Sequence, residues 1–120
     1  MHALAPRELI TVIQPQGYLN AATVRDFNSQ ASAAFGNPSL SALLVDMGKV
    51  EFLDSAGLLA IVSCLKTAKN LNKRFSICSV SSAIRMIFEL SQLDRVFEIF
   101  DNATDFETAI ANSNNLGLTT

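Results

Sequence analysis

Residues 43–58 read LLVDMGKVEFLDSAGL, a run that begins like a strand and ends like a helix. Its start belongs to a continuous apolar segment from Leu40 to Val45, which is typical of a strand buried on both faces in a parallel sheet. Asp46 ends this strand, and a loop of about eight residues is expected before the next helix. The apolar face of that helix comprises Leu58, Ile61, Val62, Leu65 and Ala68. The run therefore predicts a strand, a loop and a helix.

The segments on either side extend this alternation of strands and helices. A strand over Leu9 to Ile13 precedes a Pro-Gly turn and a short strand near Tyr18 and Leu19, and further strands are expected over residues 74–80 and 96–100. Alternation from residue 40 onward predicts parallel strands with right-handed crossovers. The short link between the first two strands favours antiparallel pairing. We predict a single α/β domain with a mixed, mostly parallel sheet packed against about four helices.

Length and charge limit the classes of protein that this chain can represent. The 120 residues fit one domain over 1–120, with a core at 8–111 and a loose polar tail at 112–120. A formal net charge of −2 is unsuited to nucleic acid, which needs clustered positive charge. No apolar run approaches the roughly 18 residues of a membrane span, and no signal peptide is recognisable. We expect a cytoplasmic protein, a monomer or weak dimer, that binds neither nucleic acid nor membrane.

The reactive side chains are few, which excludes several kinds of chemistry. The single histidine, His2, lies at the N-terminus, so most histidine-based catalysis and most zinc sites are unsupported. Cys64 and Cys78 lie in apolar helix and strand patterns, and we interpret both as small core residues. No metal site and no cofactor are predicted.

The segment from Asp46 to Leu58 is the richest candidate site, because ligands of open α/β sheets collect at the carboxyl ends of strands. Asp54 or Ser55 should cap the following helix, and capping alone would account for both residues. Yet the loop is more apolar than a solvated loop needs to be, and two aspartates flank the hydroxyl in sequence. A phosphate on Ser55 would meet free amides of the first helical turn and add about −1.5 to −2 units of charge.

The same run resembles the STAS domain, and within it the bacterial anti-sigma factor antagonists. The resemblance rests on a strand ending in Asp46, an apolar loop, and Asp-Ser-x-Gly-Leu opening a helix at residues 54–58. Upstream, the segment GYLN at residues 17–20 is similar to the family's Gly-x-Leu-Asp segment before its first helix. The resemblance covers about residues 8–111.

The resemblance implies a phosphorylation-controlled binding module and not an enzyme. Unphosphorylated proteins of this kind bind an anti-sigma factor that is also a serine kinase, and so release a sigma factor. The kinase phosphorylates the serine matching Ser55, which ends binding, and a PP2C-type phosphatase restores it. Asn20 stands where the family often has Asp, which puts in question any contact that needs a carboxylate there. We expect the partner-binding surface to comprise Asn20, Asp46, Val50, Phe52, Leu53, Asp54, Gly57 and Leu58.

Other activities fit the sequence poorly. A serine hydrolase needs a histidine base and a glycine two residues before its serine, where Leu53 stands. A response-regulator receiver needs an acidic pair for Mg²⁺ after its first strand, where residues 14–17 read QPQG. It also needs a lysine after its last strand, where residues 100–102 read FDN, and no GxxxxGK[ST] phosphate loop exists. Two alternatives with a STAS domain stay open: a scaffold subunit of a stress-signalling assembly, or an accessory subunit of a lipid or anion transporter.

Overall fold

A computed structural model describes the backbone of residues 9–119 and the side chains of residues 9–113. The strands are β1 (Ile10–Ile13), β2 (Gly17–Leu19), β3 (Ala42–Asp46), β4 (Val50–Leu53), β5 (Arg74–Cys78) and β6 (Glu98–Phe100). The α-helices are α1 (Val24–Phe35), α2 (Ser55–Asn70), α3 (Ser82–Leu90) and α4 (Ala103–Thr119), and a 3-10 helix spans Leu93–Arg95.

The strands form two parallel units. β1, β3, β5 and β6 make a four-stranded sheet in that order, and β2 pairs with β4 as a separate ribbon. The predicted α/β class, with a mostly parallel sheet and four helices, is confirmed. The antiparallel pairing of the first two strands is wrong, because Gly17 adopts a left-handed φ of 72° and its N–H bonds the Lys49 carbonyl. The chain thereby leaves the sheet, and β2 joins β4, which occupies part of the expected loop.

Alternating side chains of the central strand separate two cores. Leu43 and Val45 of β3 pack with α1, α2 and α3 on one face, here called the front face. Ala42 and Leu44 pack on the back face with Phe106 and other residues around α4. Because side chains of a strand alternate between faces, the position of any β3 residue follows from these two sets.

Two predictions about the chain's cysteines and its end have different outcomes. Cys64 and Cys78 are buried, as predicted for small core residues.

The loose tail expected from residue 112 differs from the structure, in which α4 continues to Thr119. Residues 112–115 are polar, but residues 112–119 contain no proline, so nothing there removes a helical N–H. Residue 120 and residues 1–8 lie outside the described part of the chain.

A polar network joins β5 and β6 on the back face. Arg74 donates two hydrogen bonds to Glu98, of 2.8 Å from Nε and 2.7 Å from an Nη, and the buried Ser76 hydroxyl donates a third. These bonds, above all those from Arg74, hold the pKa of Glu98 below its ordinary value of 4.5. The side chains of Arg74 and Glu98 are 30% and 42% exposed. Solvent therefore screens the ion pair, and it contributes little to the stability of the fold.

Acid should weaken this network before it unfolds the domain. A carboxylate with a lowered pKa in the folded state stabilises the fold above its ordinary pKa, and this stabilisation disappears as pH falls through the lowered value. At neutral pH, Glu98→Gln should lower the free energy of unfolding by at most about 1 kcal/mol, and the difference should be lost at an acid pH below the lowered pKa of Glu98. Chemical denaturation at both pH values measures this. A difference that persists in acid, or that Glu107→Gln on α4 reproduces, would contradict the assignment.

Candidate functional site

The candidate site is built on the first turn of α2. Asp54 precedes the helix in an extended conformation, and its carboxylate accepts the Gly57 N–H at 3.0 Å. Asp54 is therefore the N-cap, which resolves the choice between Asp54 and Ser55. Ser55 is the first helical residue; it is exposed, and no group among residues 9–113 hydrogen-bonds its hydroxyl. The N–H groups of Ser55 and Ala56 are also without acceptors in that part of the chain, as is usual at a helix start.

The start of α2 lies directly against the end of β2. The Leu19 carbonyl accepts the Asp54 N–H at 3.3 Å, and a Cβ atom on Gly57 would approach the same oxygen to 2.3 Å. No side chain fits at that distance, so residue 57 must be glycine for the helix to lie this close. The contact fixes the height of Ser55 above the ribbon formed by β2 and β4.

Asn20 organises the turn that follows β2. Its side-chain oxygen accepts the N–H groups of Ala22 at 2.9 Å and Thr23 at 3.1 Å, and its carbonyl accepts the Val24 N–H. Asn20 therefore caps the turn that leads into α1, although the regular helix begins only at Val24. An uncharged amide oxygen fulfils this structural role as well as a carboxylate would.

Asp46 has a different position from the one its sequence neighbourhood indicates. It follows Ala42 and Leu44 in the alternation of β3, so its side chain belongs to the back face, opposite α2. Its carboxylate accepts the Gly48 N–H at 2.9 Å and a Gln14 amide N–H at 3.1 Å. Burial raises the pKa of the Cys78 thiol, and the Asp46 charge raises it further. Asp46 thus stabilises the β3–β4 turn, and its contribution to the partner-binding surface stays a prediction.

The residues expected to form the binding surface divide into exposed and buried groups. Phe52 is 52% exposed and Leu58 is half-buried, so both reach the surface. Val50, Leu53 and Gly57 are buried, so they support the surface from beneath and cannot contact a partner directly. They are buried because β4 and the first turn of α2 pack onto the front core.

Two exposed apolar residues near Ser55 were not among those predicted from the sequence. Leu59 is 64% exposed and lies one turn after Ser55, so both residues lie on the same side of α2. Tyr18 is 58% exposed and packs edge-to-face on Phe52, with ring centroids 6.2 Å apart. The four-residue spacing from Ser55 could have identified Leu59. Tyr18 could not be found this way, because its contact depends on the pairing of β2 with β4.

The site offers a hydroxyl and apolar area but little reactive chemistry. The helix carries no charged residue from Ser55 through Leu65, so the surface beside the hydroxyl is neutral along α2. Burial raises the pKa of the Cys64 thiol to about 11, so it stays protonated and unreactive at neutral pH. Within the part of the chain that the structure describes, no group of side chains suits a metal ion. No helix there is long and apolar enough to cross a membrane.

The strand–turn–helix geometry has a counterpart among known families. The family model for the STAS domain matches residues 3–105. The chain belongs to the STAS domain family. Its Asp-Ser-x-Gly-Leu segment, with Asp54 as cap and Gly57 at the close contact, therefore lies inside the matched region.

Relatives of this STAS domain bear one recurring description. A Thermotoga neapolitana protein named as an anti-sigma factor antagonist homologue is 24% identical over 98 residues, covering 82% of this chain and 87% of that protein. A crystal structure of a Thermotoga maritima protein named as an anti-sigma factor antagonist has a TM-score of 0.79 at 21% identity, covering 92% and 96% of the two chains. The Bacillus cell fate determinant SpoIIAA, solved in its phosphorylated form, has a TM-score of 0.66 at 17% identity, covering 83% and 90%. These solved structures establish the shared fold.

Proposed function

We propose that this STAS domain is an anti-sigma factor antagonist whose binding is controlled by phosphorylation of Ser55. In its unphosphorylated form it binds an anti-sigma factor that is also a serine kinase, and a sigma factor is released. Phosphorylation by that kinase ends the binding, and a PP2C-type phosphatase restores it. The domain contributes a surface and an acceptor hydroxyl, and all catalysis belongs to its partners.

The observation that carries the proposal is the free Ser55 hydroxyl at the start of α2. Because Asp54 is the cap, phosphorylation of Ser55 removes no hydrogen bond that α2 needs. The unbonded N–H groups of Ser55 and Ala56 and the helix dipole both favour an anion at this helix end. The fold therefore tolerates the modification, and its effect falls on the surface.

The surrounding surface explains why a phosphate would end binding. Leu59, Phe52 and Tyr18 give an apolar area that a partner can cover. A phosphate brings about −1.5 to −2 units of charge into this area and adds to the charge of Asp54. Burying that charge against apolar groups is unfavourable, and a loss of about 2.8 kcal/mol is enough to weaken affinity a hundredfold.

The direct test is phosphorylation with purified components. The chain is incubated with an anti-sigma serine kinase from the same genome and ATP, and the product is analysed by intact-mass and peptide mass spectrometry. We expect one phosphate, on Ser55, and its removal by a PP2C-type phosphatase. Ser55→Ala should receive none, whereas Ser63→Ala, which alters another exposed serine of α2, should be modified normally. A chain that receives no phosphate, or receives it mainly elsewhere, would overturn the proposal and favour a scaffold or transporter subunit.

A further inference from the structure

The outer face of α2 continues from Ser55 towards the other end of the helix. Leu59, Val62, Lys66 and Lys69 follow Ser55 at steps of three or four residues, so all five lie on one side of the helix. Leu59 and the two lysines are exposed, and Val62 is half-buried. The buried residues of α2 lie on the opposite side, against the front core. These five residues are called the α2 stripe below.

The α2 stripe ends in positive charge that the described part of the chain does not balance. Residues 55–88 hold five of the chain's nine lysines and arginines and none of its eleven acids. Among residues 9–113, neither Lys66 nor Lys69 forms a salt bridge. Helix α1, which lines one groove together with α2, carries no charge after Asp26. The helix dipole accounts for Lys69 in the last turn but falls off before Lys66, so the fold does not explain this exposed cation.

We propose that the anti-sigma kinase covers the α2 stripe and places an acidic patch against Lys66 and Lys69, an inference that rests on the function proposed above. At a rise of about 1.5 Å per residue, Lys66 lies about 16 Å from Ser55 along the helix axis. A standard interface buries about 800 Å² on each partner, and a patch of that area is about 30 Å across. A kinase centred near Leu59 therefore reaches both the hydroxyl and the lysines.

Acidic side chains of a protein suit this end of the stripe better than other groups. A carboxylate accepts hydrogen bonds from a lysine ammonium and balances its charge, whereas a cation is repelled. An apolar patch would remove water from the lysines and give nothing in return. Segments that bind anionic membranes carry about four to eight lysines or arginines, more than the stripe provides. Opposite charges also orient two proteins before they touch, which increases the association rate.

Phosphorylation acts on this attraction as well as on the contact surface. The two lysines give the stripe two positive charges, and a phosphate on Ser55 adds about −1.5 to −2 units at its other end. The modified stripe has almost no net charge. At an ionic strength of about 0.01 M the Debye length is about 30 Å, so an approaching acidic patch senses all three groups together. Modification of Ser55 should therefore slow association in addition to weakening the complex.

Association rates of matched variants test this inference. The kinase and a non-hydrolysable ATP analogue are mixed with the chain by stopped flow at ionic strengths of about 0.01 M and about 1 M. At the lower value Lys66→Glu should slow association about fivefold, and at about 1 M, where the Debye length is about 3 Å, the difference should disappear. Lys49→Glu is the control, because it changes the net charge equally at an exposed lysine of the β3–β4 turn, and it should slow association less than about twofold. Thermal unfolding of both variants checks that the fold is kept.

Charge exchange locates the acidic patch on the kinase. Each surface aspartate and glutamate of the kinase is replaced by lysine and combined with Lys66→Glu in a double-mutant cycle. We expect at least one replacement that slows association with the wild-type domain and restores it with the Lys66→Glu domain. If no replacement does both, the kinase has no acidic patch opposite Lys66.

The outcomes separate this inference from the proposed function. If Lys66→Glu slows association no more than Lys49→Glu, or if its effect persists at about 1 M, the inference is wrong, while kinase binding and Ser55 modification still support the proposed function. It is also wrong if Lys66→Glu leaves the kinase rate unchanged but abolishes binding to vesicles of anionic phospholipid or self-association of the chain. In that case the lysines serve a membrane or a second copy. If the kinase does not bind the wild-type domain, both proposals fail.

Discussion

Ser55→Asp is expected to bind the anti-sigma kinase about a hundredfold more weakly than the wild type, whereas Ser55→Ala should bind within about threefold of it. The alanine variant keeps the apolar surface of Leu59 and Phe52 and removes only a hydroxyl that has no partner among residues 9–113. The aspartate variant adds a carboxylate beside Asp54, and this charge must lose its water when the partner covers the surface. Titration calorimetry with the purified kinase and a non-hydrolysable ATP analogue measures both affinities.

Stability measurements separate this charge effect from damage to the helix. Because Asp54 provides the cap, neither variant removes a hydrogen bond of α2, and an added acid at a helix start is favourable. Both variants should therefore unfold within about 1 kcal/mol of the wild type. Asp54→Ala is the contrasting variant, because loss of a cap costs about 1 kcal/mol by itself. Equal kinase affinities for Ser55→Ala and Ser55→Asp would refute the charge mechanism, and collapse of Ser55→Asp would show that Ser55 is mainly structural.

The order of strands and helices could be read from the sequence because it depends on local patterns. The apolar run before Asp46 and the helical spacing after Gly57 each act within a few residues. The strand β4 was not predicted, because its four residues do not alternate strictly between apolar and polar side chains. Its partner β2 lies about thirty residues away in the sequence. Pairing at such a distance leaves no local signal. The Tyr18–Phe52 contact follows from that pairing and was hidden for the same reason.

The position of the Asp46 side chain could not be predicted from the sequence, for a different reason. The sequence places it nine residues before Ser55 at the carboxyl end of a strand, which made the two side chains appear to be neighbours. Side chains of a strand alternate between its two faces, so Asp46 lies on the same face of β3 as Ala42 and Leu44. These two residues pack around α4. Because the whole strand is apolar, the pattern does not distinguish its two faces. The packing of α4 is needed to decide it.

Gly57→Ala is expected to lower the free energy of unfolding by about 3 kcal/mol, the largest stability effect predicted for a single methyl group in this domain. The added Cβ would lie 2.3 Å from the Leu19 carbonyl oxygen and 2.8 Å from a Leu53 methyl carbon. The oxygen belongs to the backbone of β2, which is held by its pairing with β4, so it cannot turn away as a flexible side chain could. The ribbon and α2 must separate, and this breaks the 3.3 Å hydrogen bond from Asp54 to Leu19.

Gly36→Ala is the matched control for this substitution. Gly36 follows α1 with helical φ and ψ, and an added Cβ would come no closer than 3.3 Å to a helix carbonyl, so the change in stability should stay below about 1 kcal/mol. Urea denaturation of the two variants compares the same methyl group at two positions, with the nearest backbone oxygen 2.3 Å away at residue 57 and 3.3 Å away at residue 36. A Gly57→Ala protein as stable as Gly36→Ala would mean that α2 can move freely from β2. In that case the close contact would not fix Ser55, and the glycine in Asp-Ser-x-Gly-Leu would need another explanation. The predicted difference in stability between the two variants therefore tests whether the close contact between Gly57 and the Leu19 carbonyl holds Ser55 in place.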